Sequence, residues 1–130
     1  MWDCGLTGTI HDSVYTLDKL QILDLAENGL SGEISANIGN LVNMQYLTFE
    51  NNRLTGEIPQ DFDQLLNLEK LNLADNYLRG EIPGAFALPK LMEINLENNY
   101  LRGTLPQTLV DRQDAGAEVW LMSIVAMSRS

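Results

Sequence analysis

A small set of residues in this chain has the types that catalysis requires. His11, Asp12 and Ser13 are adjacent, and Cys4 precedes them. Acyl transfer by a serine triad or by a cysteine–histidine pair is therefore the first chemistry to consider. Triad members have to converge in space around a positioned base, and three consecutive residues do not provide that arrangement. The order of these residues gives no support for a nucleophilic enzyme.

Two carboxylates, Glu50 and Asp75, provide the other catalytic possibility, because they fall on adjacent predicted strands. Such a pair hydrolyses glycosidic bonds when burial raises the pKa of one carboxyl group. Both side chains are predicted to face water, which leaves neither pKa raised in this way. The sequence also lacks a His/Cys cluster, a calcium-loop spacing and a phosphate-binding glycine loop. It therefore predicts no catalytic residue, no metal, no cofactor and no enzyme activity.

The composition narrows the class of partner. The 130 residues include 18 acidic and 8 basic side chains, a formal net charge of −10. Nucleic acids and anionic membranes attract Lys and Arg, so both are disfavoured, and a basic or polar partner fits better. The longest apolar run, Val119 to Met127, is too short to insert across a bilayer, which takes about 20 apolar residues. The sequence shows no signal peptide, no N-glycosylation triplet and no second cysteine, so it leaves the compartment undetermined.

The phrase Leu-x-x-Leu-x-Leu-x-x-Asn-x-Leu-x-Gly-x-Ile-Pro recurs along the chain and predicts the fold. It begins at Leu20, Met44, Leu68 and Leu91, a period of about 24 residues that is typical of stacked solenoid coils. Its second and third apolar residues alternate with polar ones, as in a strand with one buried face. Consecutive coils should therefore place parallel strands side by side, with short 3₁₀ or helical turns on the outer side. The predicted inward anchors of those turns are Val14, Leu17, Ile38, Leu41, Phe62, Leu65, Phe86 and Leu88.

One polar residue returns at a fixed place just after each strand. It is Asn28, Asn52, Asn76 and then Asn99, and Cys4 occupies the same column in the partial coil before them. An inward asparagine offers one acceptor oxygen and two N–H donors to backbone groups that have no sheet partner. We therefore predict a structural asparagine ladder, in which Cys4 is a buried, unreactive thiol.

The residues between the strand leucines should point out of the sheet and form the surface available to a partner. Neighbouring strands lie about 4.8 Å apart, so their side chains form a dense polar lattice. The lattice is mostly acidic, and Lys70 is its one basic residue. The predicted partner-binding residues are Ile22, Asp24, Glu27, Tyr46, Thr48, Glu50, Asn51, Lys70, Asn72, Asp75, Glu93, Asn95, Glu97 and Asn98. The alternative is a solvated sheet face that is charged for solubility.

A second outward set flanks the Leu-x-Gly-x-Ile phrase. Arg79 and Arg102 recur in one column of the repeat, and Glu57 and Glu81 recur in the column two residues further on. Side chains two apart share a strand face, so these arginines are predicted to pair with these glutamates. Tyr77 and Tyr100 lie one coil apart and should stack. We interpret this strip mainly as structural, with a lateral binding surface as the alternative.

The spelling Leu54-Thr55-Gly56-Glu57-Ile58-Pro59, repeated as Leu78-Arg79-Gly80-Glu81-Ile82-Pro83, resembles the plant-type leucine-rich repeat family. Such arrays occur in receptor-like kinase and receptor-like protein ectodomains and in inhibitors of cell-wall hydrolases. The resemblance implies an α/β repeat fold, a right-handed solenoid with a parallel sheet on the concave side. It also implies a protein or peptide ligand on the concave or lateral face, with a polysaccharide as a further possibility, and an extracellular or membrane-anchored parent protein.

These observations predict a single repeat domain over residues 1–130. Its expected units are a partial repeat at 1–19, repeats at 20–43, 44–67, 68–90 and 91–114, and an irregular or partial repeat at 115–130. Asp111 to Glu118 is predicted to be a loop, with one more strand near Val119. Neither end shows a polar cap, which predicts a fragment or end-to-end association. The predicted function is non-catalytic recognition, with a receptor-kinase ectodomain and a secreted hydrolase inhibitor as alternatives.

Overall fold

The computed structural model describes residues 4–84, 88–114, 116, 118–120 and 128–129. In chain order, strands β1 to β12 are Thr7–Thr9, Ile22–Asp24, Gly29–Glu33, Tyr46–Thr48, Arg53–Thr55, Lys70–Asn72, Arg79–Glu81, Glu93–Asn95, Tyr100–Arg102, Thr104–Leu105, Glu118–Trp120 and Ser128–Arg129. Three 3₁₀ helices span Asp12–Thr16, Ala36–Asn40 and Gln60–Gln64, and helix α1 spans Gln107–Asp114.

The main sheet is parallel and contains one strand from each successive coil, in the order β2-β4-β6-β8-β11. Its register pairs Leu23 with Leu47, Leu47 with Leu71, and Leu71 with Ile94. These are equivalent positions of the repeat, so the coils stack without a shift along the main sheet. The predicted leucine-rich solenoid fold is confirmed.

Further parallel strands form two lateral sheets, one that pairs β1 with β3 and β3 with β5, and one that pairs β7 with β9. Here the register is displaced by two residues from the repeat, so that Arg79 pairs with Tyr100 and not with Arg102. Side chains on the lateral strip therefore have different neighbours from those that a simple alignment of repeats suggests.

The core is one continuous cluster that runs through the described coils. Most apolar residues that the repeat pattern places inside are buried there, including Met44, Leu47, Leu71 and Leu96. Several at the start of the chain are only partly buried, namely Leu6, Val14, Leu20 and Leu23. On the outer side Ile38, Leu41, Phe62, Leu65 and Leu88 are buried as predicted.

Two predictions about the outer side are wrong, and Phe86 lies outside the described residues. Leu17 is half-exposed, because the first 3₁₀ helix buries Tyr15 in its place. The Tyr15 hydroxyl accepts a hydrogen bond from the Ser35 N–H at 3.2 Å, and burial raises the pKa of this phenol. The loop expected from Asp111 is helical as far as Asp114, since α1 continues past the point where the repeat pattern ends.

The residue before each 3₁₀ helix explains why proline can be replaced in two coils. Pro59 is the N-cap of the third 3₁₀ helix, and its ring fixes an extended entry. Ser35 and His11 take the same position, and their side chains accept hydrogen bonds from the N–H groups of Asn37 and Ser13. A side-chain cap thus substitutes for the restricted backbone of proline.

Candidate functional site

The exposed surface of the main sheet, which we call the sheet face, brings the predicted partner-binding columns together. Ile22, Tyr46, Lys70 and Glu93 are successive partners across the strands, as are Asp24, Thr48, Asn72 and Asn95. Side chains from both rows line an open concavity of about 570 Å³. The sheet therefore presents one continuous concave surface on which a partner could bind.

Apolar and charged groups alternate along this concavity. Ile22 and Tyr46 are both exposed. The Lys70 ammonium lies 5.3 Å from the centroid of the Tyr46 ring and 3.6 Å from Glu93 Oε2. Because its charge is shared between these two neighbours, Lys70 offsets little of the acidity of Asp24, Glu27 and Glu50.

The middle row of the sheet face has a structural task that the sequence did not reveal. In each coil its side-chain oxygen accepts a hydrogen bond from the backbone N–H two residues later, closing a turn at the strand end. The four pairs are Ala26 N–H to Asp24, Glu50 N–H to Thr48, Ala74 N–H to Asn72, and Glu97 N–H to Asn95, at 3.0–3.2 Å. These oxygens are already engaged, while the neighbouring rows are freer to meet a ligand. The adjacent alanines, Ala26 and Ala74, are buried beneath this surface.

Glu50 departs from the expectation that it has an ordinary pKa. Burial raises its pKa, and the charges of Asp75, Glu27 and Asp24 raise it further, while a hydrogen bond with Asn72 partly opposes them. The prediction that exposure to water leaves this pKa unraised is wrong, because the carboxyl group is half-buried and lies amid other acids at the strand ends. Glu50 therefore lies where burial and several acidic side chains of the sheet face meet.

This shift predicts the pH dependence of stability. The folded chain holds the Glu50 proton more tightly than the unfolded chain does. The protonated group's contribution to stability is therefore fully present at pH values below the ordinary pKa of 4.5. It is lost as pH rises through the raised pKa. Glu50→Gln, which does not titrate, should therefore be more stable than the parent at about pH 7, and the gain should shrink towards about pH 4. Urea unfolding at both pH values measures this. Asp18→Gln, at an exposed position, should show no such change, and a gain that is equal at both pH values would contradict the assignment.

The last predicted row turns the chain out of the sheet. Glu27, Asn51, Asp75 and Asn98 all have left-handed backbones, with φ of 56–58°. Asn and Asp tolerate this region better than other side chains that carry a Cβ. The recurrence of Asn or Asp directly before the ladder asparagine is the sequence signal for this left-handed turn, and Glu27 is the exception.

Glu27→Asn should consequently raise the free energy of unfolding by about 0.5–1 kcal/mol, because it relieves left-handed strain. Glu27→Gln removes the same charge but keeps an unfavourable side chain, so it separates the backbone effect from the electrostatic one. Chemical denaturation of both variants is the measurement. Equal stabilisation by the two would show that charge alone is responsible.

The ladder asparagines lie in one file behind the sheet face. Asn52 Oδ1 accepts from the Leu30 N–H at 3.0 Å, and its Nδ2 donates to the Leu25 and Phe49 carbonyls at 2.8 and 3.0 Å. Asn76 and Asn99 repeat this pattern one coil further along. Each side chain thus joins its own coil to the preceding one.

The first two positions of the ladder differ from the rest. Asn28 is only partly buried, and its Oδ1 accepts from the N–H groups of Cys4 and Leu6, both at 3.0 Å. Cys4 is exposed, so the prediction of a buried thiol is wrong. Within the described part of the chain no coil covers Cys4 on its outer side, and its backbone joins the ladder without a buried side chain.

The lateral strip lies beside the turn residues and contains the predicted tyrosine stack. The rings of Tyr77 and Tyr100 have centroids 6.1 Å apart and planes inclined by 13°. Together with Asn51, Asp75 and Asn98 they line a second concavity, of about 440 Å³. We call this the lateral cleft.

The ion pairs expected on this strip do not form. Among the described residues, Lys70–Glu93 is the only ion pair within 4.0 Å. Glu57 and Glu81 pack instead over Gly80 and Gly103 of the following coil, where a Cβ would lie within 3.0 Å of their side chains. These glycines also have φ of 83° and 94°, so two independent constraints require glycine there.

Two further features are absent from the described residues. No cluster of three or more His, Cys, Asp or Glu side chains could hold a metal ion. None of the helices in this part of the chain has the length and apolar character of a membrane span.

Comparisons with known proteins agree with this geometry. The leucine rich repeat family is matched at residues 18–78 and again at 90–111. A comparison with curated protein sequences gives no significant match.

Among solved structures, the chain resembles the BIR2 ectodomain from Arabidopsis thaliana, with 39% identity and a TM-score of 0.80 over 82% of this chain and 57% of that one. It resembles the plant peptide hormone receptor RGFR1, solved with RGF2, with 28% identity and a TM-score of 0.86 over 99% of this chain and 20% of that one. It also resembles the ectodomain of the membrane receptor kinase GASSHO1/SCHENGEN3 from Arabidopsis thaliana, solved with CASPARIAN STRIP INTEGRITY FACTOR 2, with 34% identity and a TM-score of 0.79 over 81% of this chain. The chain spans only 13% of that ectodomain, and less than two thirds of each of these three relatives.

Proposed function

Because the chain belongs to the leucine-rich repeat family, we propose that it is a non-catalytic recognition module that binds a protein or peptide on its sheet face. The observation that carries this proposal is the register of the main sheet, which aligns exposed side chains from successive coils along one concavity of about 570 Å³. Exposed aromatic residues such as Tyr46 are the usual anchors of protein interfaces.

Charge indicates the kind of partner. Acidic side chains surround the apolar anchors, and Lys70 is already engaged by Glu93 and Tyr46. Complementary charge accelerates association and excludes partners of like charge. A basic or polar peptide segment therefore fits the sheet face, whereas nucleic acid does not.

The relatives support a receptor-type parent. RGFR1 is a plant peptide hormone receptor, and GASSHO1/SCHENGEN3 is a plant membrane receptor kinase. We propose that this chain is likewise the recognition part of an extracellular or membrane-anchored protein. A receptor-kinase parent would contain a membrane span and kinase motifs in its full-length transcript, whereas a secreted hydrolase inhibitor would end after its repeats.

A display experiment tests the site. A random peptide library selected on the immobilised chain should be enriched in Lys and Arg, and association of a selected peptide should slow about tenfold in the double variant Glu50→Lys/Asp24→Asn at low salt. Asn at position 24 keeps the oxygen that accepts from the Ala26 N–H. Surface plasmon resonance measures the rate.

The matched control is Asp63→Lys/Asp18→Asn, which changes the net charge equally at exposed positions outside the sheet face. It should leave association within about twofold of the parent, because screening weakens distant charges. Equal slowing by both double variants would mean that overall charge, and not the sheet face, governs binding.

A further inference from the structure

The lateral cleft has an aromatic surface that remains open. The rings of Tyr77 and Tyr100 are nearly parallel, yet the two residues are 49% and 66% exposed. Stacking in the adjacent coils fixes both rings, so little further entropy is lost when a ligand packs on them. The outer faces of such a pair are suited to another planar group.

A carboxylate lies at the same cleft. Asp75 Oδ1 accepts a hydrogen bond from Asn98 Nδ2 at 2.7 Å, which orients the group. Within the described chain no Lys or Arg side chain lies within 4.0 Å of it. Asn51 lines the same cleft and provides a further amide. The cleft therefore combines aromatic faces with an oriented, uncompensated negative charge.

The guanidinium group of arginine matches both features. It is planar and weakly hydrated, it stacks on aromatic rings, and it donates hydrogen bonds to a carboxylate in a fixed fork. A lysine ammonium is a strongly hydrated point charge and lacks the planar face. The chain's own Arg79, the cross-strand neighbour of Tyr100, is not part of the cleft lining.

We propose that the lateral cleft is a subsite for one arginine side chain of the bound partner, stacked on the Tyr77–Tyr100 pair and hydrogen-bonded to Asp75. This deepens the proposed function and rests on it for the identity of the partner as a peptide or protein. The three side chains of the subsite lie outside the sheet-face row that contains Ile22 and Tyr46. Binding at the lateral cleft and binding at that row can therefore be tested separately.

Titration with small probes tests the subsite directly. Acetyl-arginine amide, acetyl-lysine amide and acetyl-citrulline amide are each added to the ¹⁵N-labelled chain, up to about 20 mM, a range that covers weak single-residue binding. The arginine probe should cause saturable shifts at the amides of Asn51, Asp75 to Tyr77 and Asn98 to Tyr100. Its affinity should exceed that of either other probe by about threefold or more.

Substitutions in the cleft test which side chains give the specificity for arginine. Asp75→Asn keeps a residue that tolerates the left-handed backbone, as Asn51 and Asn98 do, and should weaken the arginine probe by about threefold or more. Tyr100→Leu should do the same, while Tyr100→Phe, which retains the ring face, should bind like the parent. Asp18→Asn, which removes an exposed carboxylate outside the cleft, should have no effect.

Three results would overturn the proposal: equal affinity for the arginine and lysine probes, equal weakening by Asp18→Asn, or shifts confined to the sheet face. A cleft that responds to methyl β-glucoside but not to arginine would identify a sugar platform and would also overturn it. Failure of library peptides to bind the sheet face would instead contradict the proposed function and leave these probe results unchanged.

Discussion

Replacing Leu71 by Ala is expected to lower the free energy of unfolding by about 2–5 kcal/mol. Leu71 is central in β6, pairs in register with Leu47 and Ile94, and is 1% exposed. Its side chain fills the interior between two coils, and the surrounding strands are fixed by the ladder and the sheet. The cavity left by truncation is therefore expected to collapse only partly, which places the loss well above that of an ordinary surface change.

Leu66 provides the matched control for this prediction. It is the same residue type at a nearby position in the chain, but it is 58% exposed. Leu66→Ala should change stability by less than about 0.5 kcal/mol. Urea denaturation followed by circular dichroism measures both variants. Similar losses at the two positions would mean that the interior column has been assigned to the wrong residues.

Removing the ladder side chain at Asn52 is expected to cost about 1–3 kcal/mol, because it leaves buried backbone groups without partners. Asn52→Ala would remove the acceptor for the Leu30 N–H and the donor to the Leu25 and Phe49 carbonyls. Two of these three groups belong to the preceding coil. The loss should therefore weaken the contact between coils as well as the turn itself.

Asn52→Asp separates the two functions of the side chain. It keeps the acceptor oxygen, but an ionised carboxylate would point at carbonyl groups and would lack the donor. A protonated carboxyl group can donate, so this variant should recover stability as pH falls, with its pKa raised by burial. Asn37→Ala, at an exposed position, is the control. Unfolding curves that are unchanged for Asn52→Ala, or independent of pH for Asn52→Asp, would argue against the ladder.

The sequence was sufficient to predict the interior of this fold. The strand residues of the repeat, such as Leu47 and Leu71, pack against their own counterparts in the next coil. Each apolar position of the sequence repeat therefore corresponds to one column of side chains in the core. The ladder asparagines follow the same rule, and so does the stacking of Tyr77 on Tyr100.

The surface was less predictable, because its contacts depend on small displacements between coils. The register of the lateral strands places Arg79 beside Glu57 and Arg102 beside Glu81. The two carboxylates nevertheless pack over the glycines of the following coil, and neither forms an ion pair with these arginines within 4.0 Å. The raised pKa of Glu50 likewise results first from burial and then from the convergence of three other acids that no single repeat contains together. Which of the sheet-face residues contact a partner is still a prediction.

The outer side was predicted least well where the repeat ends. Helix α1 occupies residues whose pattern no longer matches the phrase, and its apolar residues Leu109 and Val110 are buried. Tyr15 replaces Leu17 as an anchor for a related reason, since the short outer helices accept different inward residues from coil to coil.

Site-specific photocrosslinking tests the central claim, that partners bind on the sheet face, most directly. A photoreactive phenylalanine analogue replaces Tyr46 on the sheet face, or Leu66, which is exposed but absent from the lining of the sheet-face concavity, in otherwise identical chains. With a library-selected basic peptide, the account predicts a crosslink from position 46 and none from position 66. A crosslink from position 66 alone, or equal yields from both, would contradict it.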